Sequence, residues 1–171
     1  MSVPVAERAR VVQISVSAGG VPKRAVPAAR VTALGLEGDV QGNRRLHGGP
    51  DRAVCLFSLE RIRALRAEGH PITPGSIGEN LTLEGVEWSA VVPGSHLRLG
   101  DDVVVQITGY TTPCRKIGGS FRNHDAGRVS QERHPGDSRV YARVLRPGLL
   151  STGDPARLLA PDEARPLAAA R

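Results

Sequence analysis

The sequence predicts a mainly-β domain, a barrel carrying a few short helices. Three observations point there. A chain of 171 residues is long enough for one hydrophobic core and short for two. Its 20 glycines and 13 prolines recur between short β-branched runs, the punctuation of strands and turns rather than of a helical bundle. Aromatic residues make up only 3% of the chain, so Val, Leu, Ile and Ala must build the core.

The elements follow in order. "RVVQISVS" (10–17) is β-branched and stops at Gly19-Gly20, which predicts a first strand. In "VPKRAVPAARVTALGLEGD" (21–39), Pro22 and Pro27 punctuate extended chain and Gly35 and Gly38-Asp39 signal turns. "RAVCLFS" (52–58) is a compact apolar run suited to a buried strand. A helix follows. Ser58 is its cap, Glu60 lies near its positive end, Leu59, Ile62, Leu65 and Ala67 share one side, and Gly69 stops it. "GENLTLEGV" (78–86), "SHLRLGDDVVVQITGY" (95–110) and "RVYARVLRPG" (139–148) return to strand patterns. "PGSHLRLGD" (93–101) and "PGLLSTGD" (147–154) echo one another as turn–strand–turn units. No linker divides the chain. Residues 1–18 are assigned to the same fold, and 160–171 to a tail that frays or forms a short helix.

The formal net charge of +6 suits anionic ligands, phosphate-bearing ones included. The excess is scattered arginine, and the basic stretches lack the interleaved aromatics of a base-stacking surface, so no nucleic-acid partner is expected. No segment approaches the ~18 apolar residues of a membrane span, and the first 20 residues show no long apolar core of a secretion signal. A cytoplasmic location and no membrane association are therefore expected. In that reducing compartment Cys55 and Cys114 are two free thiols rather than a disulfide.

Three stretches gather residues that packing alone does not request. In "GDVQGNRRLHGGPDRAV" (38–54), Gly48 and Gly49 after His47 can expose amides to a phosphate, with His47, Arg44, Arg45 or Arg52 taking its charge. A plain Gly-Gly-Pro turn with an Asp51–Arg52 surface pair explains the same letters. In "TPGSIGENLTLEG" (73–85), Glu79 and Asn80 stand where a turn becomes a strand. They either line a site or bond local backbone. In "YTTPCRKIGG" (110–119), Pro113 stiffens the approach to Cys114, while Arg115 and Lys116 supply positive charge that favours a thiolate. Cys114 is either that thiolate or a partly buried inert thiol; Cys55, inside "AVCLF", reads as core filler. Four-ligand zinc spacing and a nucleophile elbow are both missing from the sequence.

Together, "GGVPKRAV" (19–26), "GLEGDVQ" (35–41), "HGGPDRAVCLFSLE" (47–60), "PGSIGENLTLEGVEW" (74–88), "PGSHLRLGD" (93–101) and "PC" (113–114) resemble the MOSC domain, named for the C-terminal part of molybdenum-cofactor sulfurases. The likeness runs over residues 19–159 and to small stand-alone bacterial members. It implies a mainly-β barrel and a working cysteine at the position of Cys114. In amidoxime-reducing relatives that cysteine ligates molybdenum; in sulfurases and related carriers it is thought to hold or relay sulfur. The resemblance thus implies a molybdenum-cofactor (molybdopterin) protein, an oxidoreductase acting on small N-hydroxylated substrates with Cys114 as metal ligand. The pterin phosphate would be held among Lys23, Arg24, His47, Gly48, Gly49 and Arg52, with Glu79 and Asn80 on the wall. Electrons would come from a redox-protein partner. The alternatives are a sulfur carrier loaded by a desulfurase, and a non-catalytic pterin- or anion-binding module. Thr111-Thr112 stand where many relatives carry a basic residue.

Overall fold

The computed structural model describes residues 8–40 and 49–168. Eleven strands in that range form two sheets. They are β1 (Arg10–Val16), β2 (Arg24–Val26), β3 (Ala28–Thr32), β4 (Gly35–Leu36), β5 (Val54–Ser58), β6 (Leu81–Glu84), β7 (His96–Leu99), β8 (Val103–Tyr110), β9 (Val140–Arg146), β10 (Gly148–Ser151) and β11 (Ala156–Leu158). The larger sheet has the order β11-β7-β8-β9-β5-β6-β1-β2, and the smaller the order β10-β3-β4. Two helices, α1 (Leu59–Ala67) and α2 (Pro161–Ala168), and several single 3-10 turns complete the described chain.

Every strand pairing is antiparallel except β5 with β6. Parallel neighbours cannot be joined by a tight turn, so α1 carries the chain across. Its ends are as the sequence reads: Ser58 Oγ accepts the Arg61 amide at 3.2 Å, and Gly69 beyond it sits at φ +97°. Ile62 and Leu65 turn inward, whereas Ala67 is exposed. The apolar run 95–110 is a hairpin, β7 and β8, because Gly100 at φ +64° reverses the chain where Asp101 and Asp102 cannot be buried.

The large sheet curls as the expected mainly-β, barrel-like fold does, although its ladder is not continuous all the way round. β8 and β9 slip register between Val104 and Val105 and between Ile107 and Gly109, and such bulges bend a sheet. The curl brings the start of β1 against the turn before β11: Val11 N donates to Asp154 O at 2.8 Å and Gly153 N to Val11 O at 2.7 Å. The edge strands β2 and β11 remain unpaired to each other. β2 is only three residues long, held between Pro22 and Pro27, whose missing N–H groups leave little ladder to extend. Inside, Leu56, Phe57, Leu81, Leu97, Leu99 and Ile107 are fully buried. Phe57 meets Trp88 edge-on with ring centroids 6.1 Å apart. The two echoed Pro-Gly segments are strands β7 and β10, in different sheets.

Candidate functional site

The site grows from the middle of the large sheet. β5 and β9 pair so that Cys55 lies opposite Tyr141, with Arg139 just before β9 begins. The Thr111 amide donates to Arg139 O at 3.1 Å, which draws the chain after β8 across this end of the sheet. Cys114 follows in extended conformation and precedes the 3-10 turn Arg115–Ser120, anchored by buried Ile117. The segment between β1 and β2 closes the other side with Gly20, Val21 and Lys23. These pieces enclose a cavity of about 90 Å³.

Its lining is sorted by depth. Arg52, Thr112 and Lys116 are exposed and form the rim. Cys55, Ile77, Asn80, Arg139 and Tyr141 are buried and form the floor. Cys114 lies between, partly exposed. Among the described residues, the lining holds four cations, Lys23, Arg52, Lys116 and Arg139, and no carboxylate. Burial pushes the Cys55 thiol up to about 11, with Arg139 offsetting part of that. Burial likewise pushes Tyr141 to about 12. Both floor groups are therefore neutral near pH 7 and add no negative charge. Arg52 stacks over the Tyr141 ring, its guanidinium carbon 5.6 Å from the centroid.

A polar bracket fixes the wall. Asp39 Oδ1 accepts Lys23 Nζ at 2.6 Å and the Ser17 amide at 2.9 Å, and its Oδ2 accepts the Asn80 amide group at 2.9 Å. Asn80 also accepts the Cys55 amide at 3.1 Å and donates to Ser15 O at 3.3 Å. One side chain thus ties β1, β5 and the Lys23–Asp39 pair together, which is why an amide rather than a hydrophobe stands just before β6. Gly75 supports the bracket from outside. At φ +84° it lets its carbonyl accept the Lys23 amide at 2.9 Å.

The expected site residues divide as follows. Lys23, Arg52, Asn80 and Cys114 come together on the cavity, although Lys23 has its charge matched by Asp39. Glu79 is fully buried, outside the lining, with no hydrogen-bond partner on either carboxylate oxygen. Burial raises its carboxyl to about 7; Arg139 and the nearby backbone amides pull the other way and lose. Arg24 and Gly49 are exposed and lie outside the lining. His47 and Gly48, like Arg44 and Arg45, fall outside the described residues. Of the two cations after Cys114, Lys116 lines the cavity and Arg115 does not.

Cys55, Tyr141, Arg139 and Asp39 are among the site residues not expected from the sequence. Cys55 lines the cavity as well as filling core. Tyr141 had only its strand alternation as a signal. Arg139 had a stronger one, an arginine directly before an apolar strand, which is an odd place for a charge unless it faces something. Asp39 was legible only as turn punctuation.

The model of the MOSC domain family matches residues 43–157. Protein YiiM of Escherichia coli (strain K12) is 32% identical over 133 residues, 75% of this chain and 58% of that protein. A Gibberella moniliformis protein named "Reductase" is 30% identical over 132 residues, 75% of this chain and 23% of its own length. The chain thus spans less than two thirds of these relatives. The crystal structure of YiiM from Escherichia coli superimposes with a TM-score of 0.65 at 28% identity, covering 88% of this chain and 70% of that one. Among the described residues, no helix is long and apolar enough to cross a membrane.

Proposed function

As the chain belongs to the MOSC domain family, we propose that it binds molybdenum cofactor through Cys114 and reduces small N-hydroxylated compounds. The observation that carries this reading is the placement of Cys114. It is a free, partly exposed thiol on a cavity whose lining, among the described residues, is cationic and contains no carboxylate. The donor set fits the group. Thiolate sulfur is a soft ligand suited to molybdenum, and the rim cations Arg52 and Lys116 suit the phosphate of a pterin. The bound cofactor would supply two-electron redox chemistry.

The chain's own residues do the rest. Cys114 offers the sulfur, Arg52 and Lys116 attract the anion, and Asn80 with Asp39 holds the wall rigid beneath them. Electrons come from a separate redox protein. The relative named "Reductase" supports a redox role, and a location in the cytoplasm would supply both donor and cofactor. The test is reduction of an amidoxime or hydroxylamine by the protein purified from a cofactor-competent host, with chemically reduced methyl viologen as donor. Turnover is expected in the wild type and lost in Cys114→Ser. Equal turnover in both refutes the role of the thiol.

A further inference from the structure

Two cations on the cavity wall have buried side chains, and only one has a counter-charge. Lys23 has 8% of its side chain exposed and meets Asp39 at 2.6 Å. Arg139 is 7% exposed and takes part in no ion pair among the described residues. Its Nη1 donates to Ile77 O at 2.6 Å, while its Nε has no partner. Arginine cannot escape by losing its proton, and a buried charge without compensation is strongly unfavourable. Buried Glu79 feels Arg139, but burial raises its carboxyl to about 7, so at neutral pH it offsets the arginine only in part and makes no ion pair with it. Among the described residues, the buried floor that Arg139 shares with Cys55, Ile77, Asn80 and Tyr141 contains no carboxylate.

A bound anion entering the cavity would supply the charge that no ion pair among the described residues gives Arg139. The cavity, about 90 Å³, narrows from an exposed rim to a buried floor, so the group that reaches Arg139 is a small one. Rim and floor also separate the tasks, since Arg52 and Lys116 are exposed where a phosphate arrives and Arg139 is deep. We propose that the cavity floor is an oxyanion subsite in which Arg139 receives the carboxylate of a small substrate that reacts beside Cys114. This rests on Cys114 being the reacting centre, and it narrows the substrate class to N-hydroxylated compounds that also carry a carboxylate.

The test uses the full-length, metal-free protein, so that it succeeds or fails independently of molybdenum binding. Cys114 is alkylated with iodoacetate or with neutral iodoacetamide, and the adduct is quantified on the Cys114 peptide by mass spectrometry. In each case the thiolate displaces iodide, which leaves with the bonding pair as a carbon–sulfur bond forms. The iodoacetate-to-iodoacetamide rate ratio is expected to exceed that of a free cysteine peptide. It is expected to fall about tenfold in Arg139→Gln, the effect of removing one nearby charge, and to stay near the wild-type value in Arg139→Lys. Sodium formate should slow iodoacetamide labelling of the wild type in a saturable way and leave Arg139→Gln unaffected.

A wild-type ratio no higher than that of the free peptide overturns the proposal whether or not the variants fold. So does an unchanged ratio in a folded Arg139→Gln protein. Inorganic phosphate separates the two anion sources. Phosphate protection that disappears in Arg139→Gln, with none from formate, would assign Arg139 to a phosphoryl group and overturn the carboxylate reading.

Discussion

Replacing Asp39 by asparagine should cost this protein about 3–5 kcal/mol, the range for removing one partner of a buried ion pair. The structure argues for the upper part of it. Lys23 has 8% of its side chain exposed and Asp39 4%, so water cannot replace the lost charge without opening the wall. The Lys23–Asp39 contact is 2.6 Å, and the same carboxylate also accepts from the Ser17 amide and Asn80 Nδ2. The asparagine side chain keeps the shape and one acceptor oxygen, so the loss combines the missing charge with an amide donor turned toward the Asn80 Nδ2 donor. Urea denaturation followed by circular dichroism measures the change from the shift in midpoint at constant slope. Adding Lys23→Gln to Asp39→Asn removes the stranded cation and should recover part of the loss, as coupled residues do in a double-mutant cycle. A single-variant cost below about 1 kcal/mol, the value of an exposed pair, would refute the claim that this pair is sealed from water.

Other expectations concern the same wall. Glu79, fully buried with its carboxyl raised to about 7, binds a proton more tightly folded than unfolded. Its contribution is therefore intact below about pH 4.5, declines as pH rises, and is lost above about pH 7. Glu79→Gln should remove that decline and gain on the order of 3–4 kcal/mol over the wild type at pH 8, at about 1.4 kcal/mol per pH unit. Parallel stability–pH curves for the two proteins would count against it. Gly75→Ala should destabilise by more than about 1 kcal/mol, because a Cβ there would lie 2.5 Å from Lys23 O and the backbone sits at φ +84°. A melting temperature unchanged from wild type would contradict this close approach. For Arg139→Gln the expected outcome is the tenfold fall in iodoacetate selectivity at Cys114 described above.

Much of this architecture is written in local pattern, and what is not follows from what local pattern leaves out. The β-branched runs at 10–17 and 139–148 and the capped helix after Ser58 need only their own residues to declare themselves, and they appear as β1, β9 and α1. Period two also says that neighbours in extended chain point opposite ways, but not which of them points inward. Lys23 turned in and Arg24 out; Lys116 reached the cavity and Arg115 did not. Asp39 was unreadable for another reason. Its partners, Lys23 and Asn80, lie 16 and 41 residues away, and only the folded sheet joins them. The mainly-β fold was legible, whereas the way the curled sheet meets itself, through an isolated bridge between Arg10 and Pro155, depends on residues 145 positions apart. Arg139 could be seen as a charge before an apolar strand, yet its lack of a counter-ion is visible only once every neighbour is in place.

The central claim is that Cys114 ligates a molybdenum cofactor. Elemental analysis for molybdenum, with pterin quantified by its fluorescence after oxidation, should be run on wild-type protein and on Cys114→Ser from the same cofactor-competent host. The account predicts molybdenum and pterin approaching one per chain in the wild type and molybdenum largely lost from Cys114→Ser. A wild-type protein that is free of both, and that takes up neither on reconstitution, would contradict it.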